Sequence, residues 1–170
     1  RVPVAYGGAW IFFDRAEVGI NVFDAFRGGE SAFLFAQVLR VYHQHFHARR
    51  FVVDPFQLGD GNDDGIQSGV VWFYYRLGFR PNDPERRRLA RDEFAALRAD
   101  SMRRTSAATL HELSGSDLVL DLGPGATRPT PDLADIALSV TRTIGARFDG
   151  DRPRAARWAR RHVTGALGVL

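Results

Sequence analysis

The chain has 170 residues, 45% of them hydrophobic and 25% charged, enough for one folded domain or for a small domain with an appendage. It contains no cysteine, which excludes disulfides, thiolate catalysis and cysteine-ligated zinc, and a formal charge of +3 is too small to imply a polyanionic partner by itself. All 23 basic residues are arginine and none is lysine, a bias that points to a GC-rich, bacterial coding sequence rather than to a demand for guanidinium chemistry.

In chain order, residues 9–14 and 18–26 predict a β-hairpin turning at Arg15, Ala16 and Glu17. Residues 18–26 are apolar on both sides of the period-two pattern, so that strand reads as a buried one. It runs into a short glycine loop, Arg27-Gly28-Gly29-Glu30-Ser31-Ala32. Residues 31–47 then carry Leu34, Val38, Val41 and His45 at helical spacing, and residues 50–54 follow as the next strand. Residues 65–81 read as one short amphipathic helix and a following strand: Ser68 is the expected N-cap, Val70, Val71, Phe73, Tyr74 and Leu77 supply apolar surface, and Gly78 suits a left-handed C-cap. Strand, glycine loop, helix, strand, helix, strand is the order of an α/β unit.

From Asp83 onward the pattern turns helical. Pro84 opens one helix, residues 105–113 form another, residues 123–131 break the chain, and helices follow from about residue 131, capped by Thr130, and from Pro153. Residues 117–122 read equally as a strand or as a helix tail. The expected division is therefore an α/β core over residues 1–82 and a mainly helical, structural extension over residues 83–170.

Several clusters carry chemical potential. Asp60-Gly-Asn62-Asp-Asp64-Gly65 opens like a calcium loop, but its twelfth position is Val71 and not the bidentate glutamate, which favours a polar turn. On a helix only His43 and His47 of the three clustered histidines share a face, and such residues more often serve the helix C-terminus, so no metal is expected. Arginines around Trp158, in residues 152–161, read as a solvated helix face in the absence of any nucleic-acid motif. No apolar run is long enough to span a bilayer, so neither nucleic acid nor membrane is an expected partner and a cytoplasmic location is. Among the acids, Glu17, Asp24 and Asp54 fall where ligands gather in open α/β sheets. Asp54, before Pro55, reads equally as a base for an amine or as a turn-starting residue bonded to its own backbone.

Tyr74, Leu77, Gly78 and Phe79 stand as Y-x-x-L-G-F, and this segment resembles the signature closing the conserved core of the GNAT family of N-acetyltransferases. The resemblance covers about residues 9–81. It implies a mixed sheet with flanking helices, acetyl-CoA or another acyl-CoA as cofactor, and a glycine loop whose backbone N–H groups cradle the pyrophosphate; here those residues are Arg27, Gly28, Gly29, Glu30, Ser31 and Ala32. Arg27 and Ala32 match the family pattern, whereas Glu30 stands where it has glycine, setting a carboxylate against a diphosphate. Gln67 takes the place of the family's asparagine seven residues before Tyr74. Tyr74 is the implied general acid for the departing thiolate, although its other reading is a core aromatic beside Trp72, Phe73 and Tyr75.

The family's core begins with a strand and two helices that have no counterpart here, so the chain reads as a trimmed fold or as part of something longer. Two functions follow. One is acyl-CoA-dependent transfer of an acyl group to a small-molecule or peptide amine; the other is an inactive interaction domain that contacts a protein partner or other domains of the same polypeptide.

Overall fold

The computed structural model describes residues 2–26, 28–123 and 133–168. They fall into two units, Arg1–Ala126 and Thr127–Leu170.

In the first unit, β1 (Ala5–Phe12) and β2 (Arg15–Val22) form an antiparallel hairpin with Phe12 opposite Arg15. The turn is therefore Phe13 and Asp14, two residues earlier than the sequence suggests, with Phe13 left-handed at φ 55°. Burial explains the shift: Ala16, Val18 and Val22 alternate toward the interior, so the two-residue period starts before residue 18 and ends at residue 22. Residues 24–26 make a single 3-10 turn.

α1 (Ser31–Phe46) buries Phe35 and Leu39, one turn apart, and stops where His47 goes left-handed. β3 (Arg50–Val53) lies parallel to β2 and antiparallel to β5 (Leu118–Asp121), and its Phe51, Val52 and Val53 are all buried, as a strand covered on both faces requires. The sheet order is β1-β2-β3-β5-β4, where β4 (Arg80–Pro81) is two residues long. The protein is thus an α/β structure with a mixed five-stranded sheet among the described residues.

The stretch from residue 65, expected to hold one helix with Ser68 as N-cap, holds parts of two, and the N-cap of the second is Gly69. α3 (Asp63–Ser68) ends at Ser68, whose Oγ donates to the Gly65 carbonyl, and α4 (Val70–Arg76) starts after Gly69, which turns the chain at φ 60°. Before them, α2 (Pro55–Leu58) is a single turn capped by Asp54. α5 (Pro84–Ala99) is capped by Asp83, which accepts from the amides of Glu85 and Arg86, and α6 (Ala107–Ser114) by Ser106. β5 then enters the sheet between β3 and β4, with Leu118 opposite both Val53 and Pro81. Residues 118–121 are strand, and the compact unit extends well past residue 82 because its sheet draws a central strand from the second half of the chain.

An aromatic cluster joins the layers. Phe35 of α1 meets Tyr74 of α4 edge-on at 5.5 Å and Phe79 at 6.1 Å, and Tyr74 meets Phe79 at 5.7 Å. On the far side of α4, Trp72 stacks on Phe94 of α5 at 5.7 Å. Burying side chains of this size contributes about 1.5–3 kcal/mol each.

In the second unit, α7 (Leu133–Phe148) and α8 (Arg152–Leu167) form a helical hairpin pinned by the Phe148–Trp158 contact at 5.6 Å, with Asp151 capping α8. Thr130 and the expected first turn at residue 131 lie outside the described residues. Among the described residues no helix is long and apolar enough to cross a membrane.

Gly78, at φ +99°, occupies the left-handed position its place after α4 predicts, and a β-carbon there would also lie 3.2 Å from Leu120 Cδ1. Gly78→Ala should lower unfolding free energy by about 1 kcal/mol, read from a denaturant midpoint that falls at constant slope.

Candidate functional site

β2 and β3 pair for three residues only, from Arg15 opposite Arg50 to Glu17 opposite Val52. Beyond that point β2 continues through Val18 to Val22, while β3 stops at Val53. Two parallel strands therefore part at their carboxyl ends, the place where open α/β sheets gather ligands.

The parting is bridged by one side chain. Gln57, on α2, donates from Nε2 to the Val18 carbonyl at 3.1 Å and to Asp54 Oδ2 at 2.6 Å, while its backbone amide donates to Asp54 Oδ1 at 3.2 Å. Gly19 makes room for it, since a β-carbon at that position would stand 2.8 Å from Gln57 Oε1. Beside the bridge opens a cleft of about 700 Å³, bounded by Tyr6, Trp10, Glu17, Asp54, Phe56 and Asn62. Asn62 is tied back by its Nδ2, which donates to the Phe56 carbonyl at 3.1 Å.

Asp54 is thus both things its sequence context allows: it caps α2 through its own backbone neighbourhood, and it borders the cleft. Tyr74 is its electrostatic neighbour. The phenol is 3% exposed, and burial first, then the Asp54 charge, pushes its pKa up to about 12. It is therefore neutral, with a proton to give, at any physiological pH.

The glycine loop lies at the start of α1. Arg27 is outside the described residues. Gly28, Gly29 and Glu30 are exposed, and nothing approaches within 4 Å of where β-carbons on the two glycines would be. Ser31 donates from its backbone to the Gly28 carbonyl at 3.2 Å, and Ala32 sits in the first turn. Glu30 is the N-cap in helical backbone geometry, but its carboxylate makes no capping hydrogen bond.

Gln67 lies elsewhere. It is exposed on α3 and lines a second cleft, of about 760 Å³, between α3, α4, the end of α5 and the start of α6. The two clefts share no lining residue. Near the second, Arg103 forms a two-point ion pair with Glu93, at 2.7 and 3.4 Å. The Arg103 hydrogen bond, with a lesser one from Thr105, holds the Glu93 carboxyl below the usual glutamate range.

The remaining clusters take structural positions. His43 Nδ1 lies 2.8 Å from the Ala48 carbonyl, which can only accept, so that nitrogen carries the proton; His47 is the left-handed residue ending α1. Asp63 and Asp64 occupy the first turn of α3, where negative charge favours the helix dipole. Among the described residues no three metal-ligating side chains lie together.

Gln57 and Gly19 escaped the sequence reading, and Asn62 entered it only as part of the calcium-loop pattern. For Gln57 a signal existed: Asp54-Pro55-Phe56-Gln57 has an N-cap acid and a glutamine three residues on, the spacing of a capping box. Compared with models of known families, with curated proteins and with solved structures, the chain matches none.

Two pH predictions follow from these groups. A raised phenol pKa contributes stability that is complete below the unfolded value near 10 and is lost as pH rises through about 12. Native protein should therefore lose stability over that window faster than Tyr74→Phe, and ultraviolet titration should show one phenol ionising near pH 12 that the variant lacks. Glu93 has the opposite sign. Its lowered pKa stabilises the fold above the unfolded glutamate value of about 4.3, and the contribution disappears as pH falls below it. The thermal midpoint of Glu93→Gln should then change less between pH 5.5 and 3 than that of the native chain, as scanning calorimetry can establish.

Proposed function

We propose that the first unit is a GNAT-like acyl-CoA-dependent N-acyltransferase domain, which passes an acyl group to an amine. The observation that carries this reading is the parting of β2 from the parallel β3 after Glu17, on the strand that leads through Val22 and a 3-10 turn to the loop entering α1. The YYRLGF segment supports it by packing Tyr74 within electrostatic reach of Asp54.

The residues fit a coenzyme in part. The exposed glycines and the start of α1 suit the pyrophosphate in part, so Gly28, Gly29, Ala32 and the Ser31 hydroxyl would hold it, the Ser31 N–H being engaged by the Gly28 carbonyl, with Arg27 adding charge. Glu30 opposes that charge. When bound, the coenzyme supplies a thioester, whose acyl carbon–sulfur bond breaks as the amine nitrogen forms its new bond to carbon. Asp54, or water beside it, would take the proton released by the amine, and the Tyr74 hydroxyl would give its proton to the departing sulfur. Gln57 must move for the opening between β2 and β3 to be used.

A second reading, an interaction domain without chemistry, is favoured by that same bridge: Gln57 satisfies the Val18 carbonyl and Asp54 from within the chain, and Tyr74 is 3% exposed. Acetyl-CoA titrated by calorimetry should bind weakly to native protein and more tightly to Glu30→Gly. A panel of amines should show turnover that Tyr74→Phe cuts at least tenfold with little loss of stability, since the packed ring is retained. Acyl transfer below detection for native protein and Glu30→Gly alike would leave the interaction domain as the function.

A further inference from the structure

The second cleft has a chemical character of its own, independent of any acyl transfer. Part of its wall is apolar, from Leu97, Leu110 and Trp72, whose indole N–H donates to Thr105 Oγ1 at 3.0 Å and so stays fixed. Three arginines, Arg76, Arg103 and Arg104, share its lining, and no acidic residue does. Arg103 is neutralised by Glu93. Arg76 and Arg104 form no ion pair among the described residues, and the hydrogen bonds of Arg104, to the Ser101 and Arg103 carbonyls, use Nη1 alone.

Arg76 and Arg104 thus bring two guanidinium groups without an ionic partner to one cleft, a charge that an oxyanion complements. A guanidinium offers paired N–H donors that match carboxylate and phosphate oxygens, and adjacent apolar walls reward a ligand with an apolar body. Gln67 and Ser68 add neutral hydrogen-bonding groups at the rim. We propose that this cleft is a binding site for a small amphiphilic oxyanion, a carboxylate or phosphate carrying an aliphatic or aromatic group, held by Arg76 and Arg104 with its apolar part against Trp72.

The test is calorimetric titration of the full chain with hexanoate, hexyl phosphate and inorganic phosphate, at 50 and 300 mM salt. The expected result is saturable binding of one or both hexyl probes, weaker binding of inorganic phosphate, and weakening at the higher salt. Whichever hexyl probe binds more tightly identifies the headgroup. Arg76→Gln and Arg104→Gln should each weaken that probe roughly tenfold, the size of a lost charged hydrogen bond, while Arg88→Gln on the exposed face of α5 should leave it unchanged. Circular dichroism checks that the variants stay folded. No saturation by any probe up to about 10 mM, where affinity would fall below the weak small-ligand range, overturns the proposal. So does equal weakening by Arg88→Gln, which would indicate diffuse surface charge, or binding only of long polyanions such as heparin or RNA.

Discussion

The amide of Gln57 holds together the part of the fold where the sheet would otherwise open. Three interstrand pairs join β2 to β3, and then the strands separate with backbone groups facing the gap. A buried carbonyl without a donor costs about 1–3 kcal/mol, and the Asp54 carboxylate beside it would cost more. Gln57 answers both at once, because one nitrogen donates to the Val18 oxygen and to Asp54. α2 exists to deliver that side chain: Pro55 starts the turn, Asp54 caps it, and position 57 is the one whose side chain reaches back across the strand ends.

The cost of moving Gln57 therefore sets how readily the opening between the strands can be used. A ligand entering there must present a donor to Val18 and leave Asp54 solvated or paired. A purely apolar molecule would leave the Val18 carbonyl without the donor that Gln57 now supplies. The polarity of the arginine-lined cleft is opposite to that of the cleft bordered by Glu17 and Asp54.

Much of the α/β unit was legible because strong local signals agreed with burial. The helix at residues 31–46, the strand at 50–53 and the left-handed Gly78 each had a periodicity or a backbone requirement that the tertiary structure did not override. The hairpin turn was misplaced because Phe23 and Phe26 extend an apolar run beyond the strand, although they are 38% and 42% exposed. The break at Gly69 was hidden by a good N-cap residue, Ser68, one position earlier. β5 could not be assigned from its three apolar residues, since its identity depends on β3 and β4, which are distant in sequence. Of the cleft beside β2, Glu17 and Asp54 were legible as acids at the strand ends, but the bridge was not, because a glutamine announces no partner until the strand it reaches is known.

Arg80 shows what an all-arginine repertoire permits. Its guanidinium lies 3.9 Å from the centre of the Tyr75 ring, and one nitrogen donates to the carbonyls of Tyr75 and Phe79 at the end of α4. A flat ion can stack and donate in its plane at the same time, whereas an ammonium on a flexible stem would have to forfeit the stacking to keep the bonds. Exchange of this arginine for lysine would keep the charge and lose the geometry, so chemical reagents or engineering schemes that treat the two cations as equivalent would misjudge where this protein tolerates change.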